Sequence, residues 1–336
     1  MKTDLKKLIA EAAKIINKNS AIEIVKRFYY NEQYIFVTDF ETQLKIEIYE
    51  DEKNELGLTE EGLYIFLQDK FVKAPEKPED FYRLIFSIPT KQHNINFLQS
   101  DFDSIKLLNT KEERTFGTIL ITRDNNLYLS HTDAKVLYLR KIAENFDQDL
   151  MNFFSVKPLN FISKIANNVR FSVVEIKGDK HIAFKSAEGR YWQIETKEQR
   201  CSPNVFRVFP ESFSKKVDLS MQAEKIEKET KDYTKYNKTL KNGNEILFYF
   251  EGKLENEGTS SIEIKTEIKD EISKPDFNKA LILLIPYTKK ENSFVPVRAE
   301  YLVKALAVAK EKVVVFNEKT KNTEGDYFSS EPYLIY

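Results

Sequence analysis

One feature constrains this chain more than any other. An order keeps returning: an amphipathic helix, then about three short strands, at least five times, at a spacing of roughly 60 residues. Leu5, Leu8, Ile9, Ala12, Ile15 and Ile16 fall at helical spacing, and strands are expected at 21–30, 33–38 and 43–49. The second round predicts a strand at 84–90, a helix at 91–107 carrying Ile95, Phe97, Leu98 and Phe102, and strands at 115–122, 126–130 and 136–142. A helix at 157–168 leads into strands at 170–176, 181–185 and 191–196. A fourth helix falls within 218–240, with strands at 245–250 and 261–268. The last round reads strand 281–286, helix 296–309, then strands 313–317 and 333–336.

One fragment recurs in its letters as well. Thr38-Asp39 closes the strand YIFV and the next strand starts at Leu44; Thr132-Asp133 closes LYLS and the next strand reaches Leu137. This is the mark of duplicated half-domains. At 336 residues the chain exceeds one ordinary core. The repeats divide it into three domains, 1–83, 84–211 and 212–336. The composition agrees with much sheet: 25 Phe and 17 Tyr against 9 Gly, too few glycines to favour phosphate-cradling loops.

Four segments, in this order, resemble the bacterial DNA polymerase III β sliding clamp family. AIEIVKRFYYNEQYIFVTDFETQLKIEI (21–48) is similar to the family's first-domain strands, with Thr38-Asp39-Phe40-Glu41 at its Thr-Asp-Leu-Glu turn. GTILITRDNNLYLSHTDAKVLYL (117–139) resembles the second domain, with Thr132 to Leu137 in place of Thr-Asp-Gly-His-Arg-Leu. Pro203 to Pro210 matches Pro-Asp-Tyr-Arg-Arg-Val-Leu-Pro without a gap, and FVPVRAEYLVKAL (294–306) resembles the start of the final helix. The tail PYLIY stands where the family ends in a short apolar strand. Two departures stand out. The first domain is short, its second half (57–83) showing no clear helix plus three strands, and Ala134-Lys135 replaces Gly-His.

The resemblance implies an α+β fold of three clamp domains built from repeated helix-plus-antiparallel-strand motifs. It implies a DNA sliding clamp, a processivity factor and not an enzyme, whose two protomers close a homodimeric ring around duplex DNA in the cytoplasm. It implies a cleft for polymerase and clamp-loader peptides, formed by Thr132, Ala134, Lys135, Val136, Leu137, Pro203, Val208, Tyr333, Leu334, Ile335 and Tyr336. By position, the resemblance puts Leu334 and Ile335 beside Val136, Leu137, Pro203 and Val208.

The charge pattern is compatible with that reading. The net charge is -1, which argues against a conventional basic DNA-binding domain. Yet four helices carry more base than acid, as sequence-independent phosphate attraction requires. The residues expected to face DNA are Lys6, Lys7, Lys14, Lys18, Lys157, Lys164, Lys225, Lys228, Arg298 and Lys304. The plainer alternative is that these lysines are solvated surface residues.

Enzymatic chemistry is thin. His93, His131 and His181 have no metal-ligand spacing with one another or with Cys201, and each reads as a surface or turn residue. The lone Cys201 forms no disulfide within the chain and reads as a small hydrophobe. The pairs Asp101/Asp103 and Glu112/Glu113 read as solvated acids, and Trp192 as strand core ahead of a stacking platform. No P-loop, Gly-x-Ser-x-Gly or Gly-x-Gly-x-x-Gly occurs, so no cofactor or metal is expected. The N-terminus has charges throughout and the longest apolar run (280–286) is short, so neither a signal peptide nor membrane association is expected. Two rivals remain: a clamp-fold peptide-binding protein that never closes on DNA, and a hydrolase or nuclease with a dispersed carboxylate site.

Overall fold

The structure, a computed structural model, describes all residues except 1, 76–85, 89–90, 108–116, 133–135, 177, 203, 229, 232–245, 250–252, 257–260, 264–267, 285–296, 318–319, 322–326 and 329–332. The chain gathers into two compact units. One holds Met1–Leu98, Asn145–Gln148 and Asn152–Cys201, the other Gln99–Glu144, Asp149–Met151 and Ser202–Tyr336.

The first unit is a fully antiparallel sheet. Its strand order is Lys70–Lys73, Gly62–Leu67, Phe28–Tyr30, Tyr34–Thr38, Thr42–Glu47, Trp192–Cys201, Asp179–Ser186, Asn168–Ile176 and His93–Asn96. Strand Thr42–Glu47 alternates buried and half-buried residues, so Leu44 and Ile46 point to the core and Gln43 and Lys45 to the other face. Two helices, Lys2–Ala12 and Lys157–Ile165, pack against each other. They bury Leu5, Leu8, Ile9 and Ala12, and Leu159, Phe161 and Ile162. Phe161 meets Trp192 edge-on at 5.3 Å, so Trp192 is strand core.

The opposite face of this sheet carries a buried polar network. Glu195 accepts from Gln43 Nε2 at 2.8 Å, from the Ser87 amide at 3.1 Å, and from Ser87 Oγ and Gln193 Nε2. Lys45 stands 4.8 Å from the Phe86 ring centroid and 5.5 Å from that of Tyr191, and desolvation lowers its pKa. Residues 86–88 thus cross the sheet, held by Ser87, and do not form the expected strand at 84–90; its remaining residues lie outside those described. The strand of that round is His93–Asn96. There Ile95 and Phe97 alternate with less buried neighbours, a period of two where a helix had been expected from 91. The helix runs only over Gln99–Leu107.

Other boundaries also shift. Within 21–30 only Phe28–Tyr30 is strand, preceded by a 3-10 turn at Glu23–Lys26. Just before the segment 57–83, which was expected to show no clear helix plus three strands, Glu50–Leu56 forms a short helix. The Tyr49 amide donates a capping hydrogen bond to Glu52 Oε2 at 3.0 Å, and Gly57 ends the helix in the left-handed region. A Cβ at Gly57 would lie 2.8 Å from the Phe71 carbonyl oxygen. The hairpin Gly62–Leu67/Lys70–Lys73 follows, so the short half keeps one helical turn pair and two strands.

The second unit has the antiparallel order Gly117–Arg123, Asn126–Thr132, Val136–Ala143, Leu281–Leu284, Tyr333–Ile335, Val313–Phe316, Phe213–Asp218 and Ile268–Ser273. Phe213–Asp218 had no counterpart in the sequence reading. A separate four-stranded sheet joins Ser261–Glu263, Lys253–Asn256, Ile246–Tyr249 and Val297–Arg298. Helix Ala299–Val308 and the helical residues 223–228 cover one face of the large sheet. Leu302, Ala305, Leu306, Ala223 and Ile226 there join Val136, Tyr138, Ile282, Leu284, Val314, Tyr333 and Ile335 in one core.

Candidate functional site

The helices that carry the lysines sit on sheets through their apolar stripes, which turns their polar sides outward. In the first unit Lys7, Lys14, Lys18 and Lys164 are exposed, and Lys6 and Lys157 half-buried. Three of these are engaged with acids. Lys6 lies 3.2 Å from Asp69 and Lys14 2.6 Å from Glu11, while Lys157 pairs with Asp39. In the second unit Lys225, Lys228 and Lys304 are exposed on the outer sides of 223–228 and Ala299–Val308. Lys304 stands 5.6 Å from the Tyr301 ring centroid. Arg298 ends the strand Val297–Arg298, and its side chain lies outside the described residues.

The cleft residues do not all meet as expected. Strand Leu281–Leu284 lies between Val136–Ala143 and the tail strand. Leu137 faces Leu283 and Leu283 faces Leu334; Val136, Leu284 and Tyr333 form the next row. Leu334 and Ile335 are therefore one strand removed from Val136 and Leu137, about 10 Å across two strand spacings. Alternation then splits the set. Val136, Tyr333 and Ile335 point into the helix-covered core. Leu137, Leu283 and Leu334 share the other face, buried at 5%, 0% and 1% exposure. Leu283 is the residue the sequence reading missed, because nothing in the letters LILL announces which strands it will separate.

Thr132 is half-buried and its hydroxyl donates to the Val136 carbonyl at 3.0 Å. Ala134, Lys135 and Pro203, like Glu112, Glu113 and the Cys201 side chain, lie outside the described residues. Val208, at the end of the 3-10 turn Val205–Val208, is 44% exposed. Tyr336 is half-buried with Lys279 4.4 Å from its ring centroid. Burial raises the Tyr333 phenol pKa.

Two polar readings are corrected by burial. Asp101 is fully buried, not solvated. Arg140 donates to both of its carboxylate oxygens, at 2.6 and 2.5 Å, and the Tyr138 hydroxyl donates at 2.8 Å. The pair ties helix Gln99–Leu107 to strand Val136–Ala143. His131 is no surface or turn residue: it lies buried on strand Asn126–Thr132, opposite Tyr138, and desolvation pushes its pKa down to about 3. His93 and His181 are half-buried strand residues, both lowered by desolvation. No cluster of three metal-ligating side chains occurs among the described residues, and no described helix is long and apolar enough to cross a membrane.

This architecture has solved counterparts. The DNA polymerase III beta subunit of Thermotoga maritima superposes with a TM-score of 0.60 at 13% identity, over 99% of this chain and 96% of that one. The beta chain from Streptococcus pneumoniae gives 0.61 at 12% identity, over 99% and 97%. The Helicobacter pylori beta clamp bound to a DNA ligase peptide gives 0.60 at 14% identity, over 99% and 97%. The chain has the β-clamp fold. No protein-family model matches the sequence, and no curated protein matches it. The clamp fold is therefore carried here by hydrophobic pattern and strand order with little of the usual lettering. The expected α+β class of repeated helix-plus-strand motifs is what the structure has.

Proposed function

We propose that this chain is a DNA sliding clamp, a processivity factor that encircles duplex DNA and tethers a polymerase without itself catalysing a reaction. The observation that carries the reading is the match to clamp structures over 99% of the chain. The three domains fall at 1–83, 84–211 and 212–336. The lysines named above line the DNA side, polymerase and clamp-loader peptides dock at the apolar face near Val208, and the protein works in the cytoplasm.

Two sheet edges support closure into a homodimeric ring. Among the described residues Lys70–Lys73 pairs on one side only, and Ile268–Ser273 likewise. Exposed edge strands are templates for a second chain. Both are apolar enough to bind: Val72 is 52% exposed and Ile272 82%. Head-to-tail pairing of unlike edges closes a ring when the rotation permits.

A second reading keeps the fold without the ring: a clamp-fold peptide-binding protein. The seven-residue helix Glu50–Leu56 in the reduced half, and the acids beside Lys6, Lys14 and Lys157, favour it. Sedimentation separates the two. A ring predicts twice the 39.4 kDa chain mass, and Val72→Glu or Ile272→Lys, each made alone, should return the monomer. A parent that sediments as a monomer at micromolar concentration removes the ring.

A further inference from the structure

The second unit holds an aromatic stack that the clamp reading does not use. Arg123 ends strand Gly117–Arg123, beside the tight turn Asp124–Asn125, where both residues have positive φ. Its guanidinium lies 4.8 Å from the Phe206 ring centroid and 4.9 Å from that of Phe277. Phe206 in turn meets Tyr128 edge-on at 5.0 Å and Phe277 at 5.2 Å, and Phe277 meets Phe209 at 5.2 Å. Three separate stretches of chain are joined: the hairpin of Arg123 and Tyr128, the 3-10 turn Val205–Val208, and the loop before Leu281–Leu284. The turn has only thin local support. Asn204 Oδ1 accepts the Phe206 amide at 3.1 Å, the Asn204 carbonyl the Arg207 amide at 3.1 Å, and the Phe206 carbonyl the Phe209 amide at 3.4 Å. A four-residue 3-10 turn does not hold itself in water.

We infer that Arg123 and Phe277 are positioning residues for partner binding: their stack pins the turn Val205–Val208 to the sheet, so that the exposed Val208 is presented in a fixed place. This rests on the proposal that a partner peptide docks beside Val208. Neither residue needs to touch that peptide. Their effect is on the ordering cost of the turn, which a pinned turn does not incur on binding. Two cation–π contacts of this exposure, and the ring contacts behind them, set the expected size at about fivefold to thirtyfold in affinity.

The test uses the full chain with Arg123→Ala, Phe277→Ala and the ring-conserving Phe277→Tyr. Amide hydrogen exchange at residues 206–209 is followed in the free protein, and affinity is measured for a synthetic apolar pentapeptide taken from a replicative polymerase tail. Arg123 is exposed at a hairpin end, so the fold survives its loss. Both Ala variants should speed exchange at 206–209 and weaken the peptide by about fivefold to thirtyfold, while Phe277→Tyr stays near the parent. Unchanged exchange overturns the inference, and so does faster exchange with parental affinity. A parent that binds no such peptide defeats the docking proposal instead, and exchange alone then decides whether the stack pins the turn.

Discussion

Truncating the tail strand one side chain at a time separates its two faces. Ile335 is fully buried, points into the helix-covered core and pairs across to Ile282. Leu334 is as deeply buried but faces the other way, in the row with Leu283 and Leu137. Large-to-small changes at such sites cost about 2–5 kcal/mol, from lost transfer energy plus the cavity left behind. Ile335→Ala and Leu334→Ala should both lower the urea midpoint by that amount, and deletion of 333–336 by more, since it removes a central strand. The two should then part company. Ile335→Ala should leave the affinity for an apolar partner peptide within about twofold, because its face is closed by helices. Leu334→Ala should weaken the peptide by about fivefold or more through the cavity it leaves under that face, since Leu334 itself is only 1% exposed and offers a partner no surface of its own. Equal peptide affinities for the two variants would show that the Leu137-Leu283-Leu334 row is core alone. A stability loss under about 0.5 kcal/mol at either site would refute the burial argument itself.

Three further outcomes follow from buried or exposed charge. His131 is neutral in the fold while its unfolded form protonates below about 6.5. The unfolded chain therefore binds the extra proton, and stability falls as pH drops from about 6.5 towards 3, by roughly 4–5 kcal/mol over the window. Denaturation series at several pH values should show that slope, and His131→Phe should flatten it. Asp101→Asn leaves the Arg140 guanidinium buried without its counter-charge and should cost about 3–5 kcal/mol by chemical denaturation. A cost below about 1 kcal/mol would mean that water reaches the pair. Reversing Lys6, Lys7 and Lys14 to Glu should shorten retention on circular DNA with little change in melting temperature, and parental retention would remove these lysines from the DNA face.

What the sequence disclosed was period and order. The helical stripe of Leu5, Leu8, Ile9 and Ala12, and the alternation of Leu44 and Ile46, are local patterns that one buried face imposes, and both are met in the structure. The clamp fold was implied by the resemblance of four segments, in order, to a known family. What stayed hidden depends on contacts distant in sequence. Asp101 reads as a solvated acid until Arg140, thirty-nine positions on, closes on it. His131 reads as a turn until strand pairing sets it opposite Tyr138. Helix Glu50–Leu56 is a run of charges with no apolar stripe, held by its caps at Glu52 and Gly57, and the sequence reading passed over it. The cleft residues came from alignment by resemblance, which cannot reveal that Leu281–Leu284 slips between two strands.

The claim that this protein surrounds DNA is tested most directly by topology. The protein, placed on a nicked circular plasmid by a clamp loader, is followed by gel filtration before and after a restriction enzyme cuts the circle. The clamp account predicts co-elution with the intact circle through many column volumes, and loss within minutes of linearisation as the ring runs off the ends. Equal retention on circle and linear DNA, or release from both that depends only on salt, would contradict it, because either describes a protein that holds the side of the duplex instead of enclosing it.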